Sequence, residues 1–128
     1  MGEASESPSG QELLRSVLDG LPLKVLAGGL VIVRRKKHEP IDLAGLTAEK
    51  IVERTSKRSG SKFTARWDLM RYANWIEART GELHWTAKTG PVAMDTPFDE
   101  VVGISRGKEV YTIRLVSDGR HLHAYPVE

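Results

Sequence analysis

A chain of 128 residues, 40% of them hydrophobic, can enclose one core of ordinary size; that length excludes an independent catalytic domain joined to a second binding domain. Without cysteine it forms neither disulfides nor thiolate centres, which removes iron–sulfur clusters and cysteine zinc fingers. The 19 basic and 17 acidic residues leave a formal charge of only +2, but they are segregated along the chain.

Residues 1–20 carry a net charge of −3, residues 34–66 hold ten bases against four acids, and residues 67–128 return to −2. Segregation of this kind lets a chain of small total charge present a positive face. No run of 18 apolar residues occurs, the opening is acidic rather than basic and apolar, and Glu6 stands where a myristoylation signal takes Ser or Thr. A cytoplasmic location without membrane contact is the expectation.

Residues 1–10 read as a disordered lead-in and residues 11–128 as a single α+β domain, in which an antiparallel C-terminal sheet packs on helices. A short helix is predicted from Gln11 to Asp19, stopped by Gly20 and Pro22. Leu23–Ala27 and Leu30–Arg35 read as a hairpin turning at Gly28-Gly29. A second helix is predicted from Thr47, as N-cap, to Arg58, with Glu49 in its first turn and a Glu53–Lys57 pair on its flank. Its inner face is Ile51, Val52 and Thr55.

The third helix is predicted over Thr64–Arg79 and closed by Gly81, with Ala65, Leu69, Tyr72, Ala73 and Ile76 on the buried side. From Glu82 the period becomes two. Leu83, Trp85 and Ala87 alternate and, across Thr89-Gly90, face Val92 and Met94. Strands Glu100–Ser105, Glu109–Val116 and Arg120–Tyr125 follow, as a meander with turns at Arg106-Gly107 and Asp118-Gly119. A two-residue last turn pairs Leu115 with Leu122 and Arg114 with His123, and gathers Val102, Ile104, Tyr111, Ile113, Leu115, Leu122 and Ala124 on one face. Two helices followed by a hairpin is the element order of a winged helix-turn-helix.

Three features carry chemistry. Trp67, Arg71, Trp75 and Arg79 recur every four residues, a ridge able to stack on bases and grip phosphates, with Arg66 near the helix start; the same spacing also suits a second packing stripe. Lys50, Arg54, Lys57, Arg58 and Lys62 form a basic cluster leading into that ridge, and Lys88 beside the Thr89-Gly90 turn is placed as a wing contact. Arg34-Arg35-Lys36-Lys37 is a second cluster at a strand end. These residues predict a nucleic-acid-binding protein, preferably of duplex DNA, acting in transcription regulation or DNA architecture through residues 50–79.

An alternative is a protein-interaction module, or a homodimer, using the outer sheet face through Val110, Thr112, Val116, Val101 and Tyr125. A third reading is a small metal-independent nuclease, in which His84, His121 or His123 works with Asp95, Asp99 or Glu100 and Arg114 supports an anionic intermediate. His121 and His123 form a His-x-His pair, but Arg114 is expected opposite His123 and no third ligand is near in sequence, so no metal is expected. Walker A, Gly-x-Gly-x-x-Gly, nucleophile-elbow and His-Glu-x-x-His motifs are all missing, and no cofactor is expected.

Overall fold

The computed structural model describes residues 20–56 and 60–128, and the side chains from Pro22 onward. The predicted lead-in, the helix over 11–19, and Lys57 and Arg58 lie outside the described residues. The architecture is α+β, with helices packed against a mixed sheet.

Strand β1 (Gly20–Val25) turns back as β2 (Val31–Arg35), the predicted hairpin with its first strand set earlier in the chain. Pro22 lies in an edge strand beside a register shift, where its missing N–H is tolerated. A 3-10 turn, Lys36–His38, follows β2. Helix α1 (Ala48–Thr55) is capped by Thr47, whose side chain accepts from Lys50 N as predicted, but the helix ends earlier than Arg58.

Strand β3 (Lys62–Phe63) and a turn at residues 64–67 precede α2 (Leu69–Leu83). Asp68 rather than Thr64 starts this helix, because its carboxylate accepts from Arg71 N at 2.8 Å. The helix runs through Gly81, and His84 closes it in the left-handed conformation at φ 56°. The start is therefore later than predicted, and Arg66 and Trp67 stand outside the helix. Its buried face is Tyr72, Ile76 and Thr80, whereas Leu69 is exposed.

The remaining strands are β4 (Val92–Pro97), β5 (Gly103–Ser105), β6 (Lys108–Val110), β7 (Thr112–Ser117) and β8 (His121–Val127). They form a five-stranded sheet in the order β1-β2-β8-β7-β4 and a three-stranded sheet in the order β3-β5-β6. The predicted hairpin of 83–87 with 92–94 is not made. Leu83 ends α2, Trp85 lies in a loop, and β4 pairs instead with β7, Met94 opposite Leu115. The wing of the winged-helix arrangement is thus missing.

The predicted meander divides at Tyr111, which is exposed: β6 stays in the small sheet and β7 enters the large one. The Arg106-Gly107 turn keeps its predicted register, with Ser105 opposite Lys108 and φ of 53° and 77° at the two turn residues. The last turn does not. Asp118 accepts from Arg120 N and His121 N at 2.8 and 2.6 Å, which lengthens the loop and pairs Ser117 with Leu122. Arg114 therefore faces Tyr125, and Val116 faces His123. Because the shift is two residues, every side chain keeps its face, and Ile113, Leu115, Leu122 and Ala124 are buried as predicted.

The pairing of β2 with β8 is parallel and brief, Val31 with His121 and Ile32 with Leu122. An unbroken ladder would next join Ala124 N–H to the Val33 carbonyl. The Tyr72 hydroxyl stands between them, accepting from Ala124 N at 2.9 Å and donating to Val33 O at 2.5 Å. Burial in this seat raises the phenol well above its ordinary range. Arg34 leaves the basic cluster and lies over the Tyr72 and Phe63 rings, 4.6 and 5.1 Å from their centroids, donating to the Trp67 carbonyl.

Tyr72→Phe removes one hydroxyl and leaves a buried amide and carbonyl facing each other across a gap; urea unfolding should show a loss of about 2 kcal/mol. A Cβ at Gly103 would lie 2.3 Å from Pro126 Cγ and 2.5 Å from the Lys62 carbonyl oxygen. Gly103→Ala should cost at least about 2 kcal/mol in the same assay, while Gly81→Ala, with open space around it, should gain up to about 1 kcal/mol from helix propensity.

Candidate functional site

A cleft lies at the carboxyl ends of the two parallel strands β2 and β8, the position where open sheets place their ligand crevices. Leu122 and Ala124 of β8 face the core, so His123 and Tyr125 alternate to the opposite side. The 3-10 turn after β2 brings His38 over them. Tyr125 stacks with His38 at 4.9 Å and 14° and with His123 at 5.9 Å and 17°. The cavity is about 900 Å³, and the β5–β6 turn closes its far side with Arg106.

Local chemistry fixes each wall. Arg106 adopts φ 53°, a costly conformation for an arginine, and its turn is anchored on the end of α1. Arg106 N and Gly107 N donate to the Thr55 carbonyl and hydroxyl at 2.8 and 2.7 Å. On the sheet side Arg114 donates from Nε and a terminal nitrogen to both Asp95 oxygens at 2.7 and 3.0 Å, and it also reaches the Tyr125 hydroxyl. These contacts raise the guanidinium above its ordinary range, and Arg114 in turn holds Asp95 below the usual carboxylate range.

His38 donates from Nδ1 to the Ser61 carbonyl at 2.7 Å, which leaves Nε2 as the basic nitrogen of the neutral ring. Burial pushes His38 down to about 4, and Lys37, Lys62 and Arg35 push the same way against the Ser61 bond. Burial likewise lowers His123 to about 4, with Arg35, His38 and Lys37 adding to it and Asp118 opposing. His123 Nδ1 is buried with no hydrogen-bond partner among the described residues. Arg35, Lys37, Arg106 and Arg114 line the cleft, against Glu128 as the one carboxylate among its described lining residues, 3.9 Å from Arg106.

The residues predicted for the interface are divided. Lys62 sits at the rim, donating to the Lys37 carbonyl at 2.7 Å; burial lowers its ammonium, Arg54 lowers it further and Glu39 raises it. Lys62 thus joins the strand-end cluster. Lys50 is exposed and lies 3.7 Å from Glu53, and Arg66 is exposed in the turn before α2. Trp67 is a core residue, packed edge-on against Trp75 and Phe98, with Arg71 stacked over it at 4.2 Å and paired with Glu100. Trp75 is half-buried in that aromatic group. The predicted ridge is therefore mainly packing, for the reason that two indoles gain more from burial than from solvent.

Lys88 is exposed in a loop beside the β1–β2 turn, Ala87 N donating to the Gly28 carbonyl, at the end of the sheet away from the cleft. The outer apolar patch is also broken up: Val110 belongs to the core and Tyr125 to the cleft. Of the acids proposed for the histidines, Asp95 holds Arg114 and Glu100 holds Arg71, and neither they nor Asp99 line the cavity. His84 caps α2, and His121 lies 3.6 Å from Asp118. His38 escaped sequence reasoning; its only signal was a place at the end of Arg34–Lys37, directly after a strand. No group of three or more metal-ligating side chains forms among the described residues, and no described helix is long and apolar enough to cross a membrane.

No known protein family, curated protein or solved structure matches the chain.

The imidazoles give stability a pH dependence of definite sign. Unfolded histidine binds a proton near pH 6.5 while the folded rings stay neutral to about 4, so stability is complete above 6.5 and falls as pH drops toward 4. For His38 this amounts to about 3 kcal/mol. His38→Asn, which keeps a donor for the Ser61 carbonyl and does not titrate, should flatten the curve of unfolding free energy against pH over that window.

Proposed function

We propose that the protein binds nucleic acid, with the cleft at the ends of β2 and β8 as its phosphate-gripping site and an unpaired strand as its preferred form. The observation that carries this reading is the gathering of four cationic side chains, Arg35, Lys37, Arg106 and Arg114, on the lining of one cavity. Arg35 and Lys37 come from the end of β2, Lys62 bonds the Lys37 carbonyl at the rim, and Arg106 and Arg114 complete the walls around Tyr125. A group of cationic side chains around one cavity attracts a polyanion, which releases its own counterions on binding. A cavity of about 900 Å³ is of the size that encloses a small ligand or a nucleotide segment, while a duplex with its bases stacked inside reaches only the rim.

Fluorescence anisotropy with labelled single-stranded DNA, single-stranded RNA and duplex DNA tests this reading. Affinity for single strands should exceed that for duplex and fall steeply between about 50 and 200 mM salt. Lys37→Ala and Arg106→Ala should each weaken binding several-fold and reduce the salt slope by about 1, while Lys88→Ala leaves it unchanged. Salt-independent association, or a loss confined to Lys88→Ala and Arg66→Ala, contradicts the placement in the cleft.

A further inference from the structure

We infer that the cleft cuts the strand it holds, and that the strand is RNA: the 2′-hydroxyl attacks the adjacent phosphorus, His38 Nε2 takes its proton, and His123 protonates the departing 5′-oxygen. The inference rests on the reading of the cleft as a nucleic-acid site and adds chemistry to it. In the step one P–O bond forms to the 2′-oxygen and the bond to the 5′-oxygen breaks. One proton leaves the 2′-hydroxyl for His38 and one passes from His123 to the leaving oxygen. The products are a 2′,3′-cyclic phosphate and a 5′-hydroxyl end, and no further reactant is consumed.

Three observations point to this chemistry. First, the cleft offers a base with a defined tautomer, since the 2.7 Å bond from Nδ1 to the Ser61 carbonyl reserves the His38 Nε2 lone pair, and a base oriented by a third group is the arrangement that proton abstraction requires. Second, two neutral imidazoles flank one tyrosine beneath a group of cations, which is a poor choice for packing alone. Both lose protonation to burial and to Arg35 and Lys37, and His123 Nδ1 gains no hydrogen bond in exchange. Third, the Ser61 hydroxyl lies 3.4 Å from His38 Nδ1, but that nitrogen carries a proton for the Ser61 carbonyl and does not activate it as a nucleophile, whereas RNA supplies a nucleophile itself as its 2′-hydroxyl.

Charge explains how the acid is armed. Arg35, His38 and Lys37 oppose a proton on His123, and a phosphodiester bound among them supplies the negative charge that offsets their repulsion. Arg35, Lys37 and Arg106 place positive charge beside the phosphoryl oxygens, where it counts most as the pentacovalent state forms. Arg114 is a positioning residue, locked by Asp95 and in contact with the Tyr125 hydroxyl, so that the ring stacked on both histidines keeps its place.

The test uses the full chain and three substrates: a fluorogenic RNA oligonucleotide, its 2′-deoxy counterpart, and uridine 3′-(4-nitrophenyl phosphate). The RNA should be cut to ends carrying 2′,3′-cyclic phosphate by mass spectrometry, and the deoxy strand bound but left whole. His38→Ala should lose about 100-fold or more on both the RNA and the nitrophenyl ester. His123→Ala should lose as much on RNA yet stay within several-fold of the native rate on the ester, because nitrophenolate departs without a proton. His38→Asn, which keeps the donor to Ser61, should be as inactive as His38→Ala while remaining folded at neutral pH. RNA bound but uncut, or cut equally well by His38→Asn, overturns the inference and leaves the binding site standing. Failure of both strands to bind overturns the two together.

Discussion

The hydroxyl of Tyr72 takes the place of one backbone hydrogen bond between β2 and β8, and the cleft lies at the ends of these two strands beyond it. A side chain inserted into a parallel ladder holds the strands further apart than a direct N–H to carbonyl bond would, while leaving neither buried group unpaired. One residue of α2 thereby joins the helix to both central strands and sets the point at which they part. The Arg34 guanidinium closes the same arrangement from β2, lying over the Tyr72 and Phe63 rings and donating to the Trp67 carbonyl. A cation so placed is costly to desolvate, and burial lowers its proton affinity. Its faces rest against two aromatic rings, which recovers part of that cost.

Beyond the parting point the two strands have different fates. β2 runs into a 3-10 turn that carries His38 back over the sheet, while β8 continues beside β7 and presents His123 and Tyr125. The small sheet presses on the end of β8 through Gly103, whose missing side chain admits Pro126. Its turn brings Arg106 to the cavity on a backbone held by Thr55. The site is therefore assembled from several elements, held by contacts outside it, such as Thr55 on the Arg106 turn, and within it, such as Ser61 and Tyr125 on His38.

Much of the fold was legible because the controlling interactions are local. Thr47 caps the helix that follows it, Arg106-Gly107 makes the turn that its left-handed glycine suggests, and alternation along 112–126 puts Ile113, Leu115, Leu122 and Ala124 inside. Errors arose where two local signals competed. Asp118-Gly119 satisfies a tight turn, but the Asp118 carboxylate captured two amides and lengthened it. Thr64 and Asp68 were both able to start α2, and the choice moved Trp67 from helix to core. Tyr111 continued an alternating strand on paper, yet the chain changes sheets there.

The candidate site was legible only in fragments: the Arg34–Lys37 cluster, a His-x-His strand and a Tyr125 assigned to an outer, partner-binding face. Caps, turns and the alternation of apolar residues act between neighbours a few positions apart, so composition and spacing along the chain were enough to define them. The parallel pairing of β2 with β8, the intrusion of Tyr72 between them and the stacking of His38 on Tyr125 join residues distant in sequence. Those contacts came from packing of whole elements against each other, because no local preference distinguishes a strand's partner or tells a histidine which ring will lie across from it.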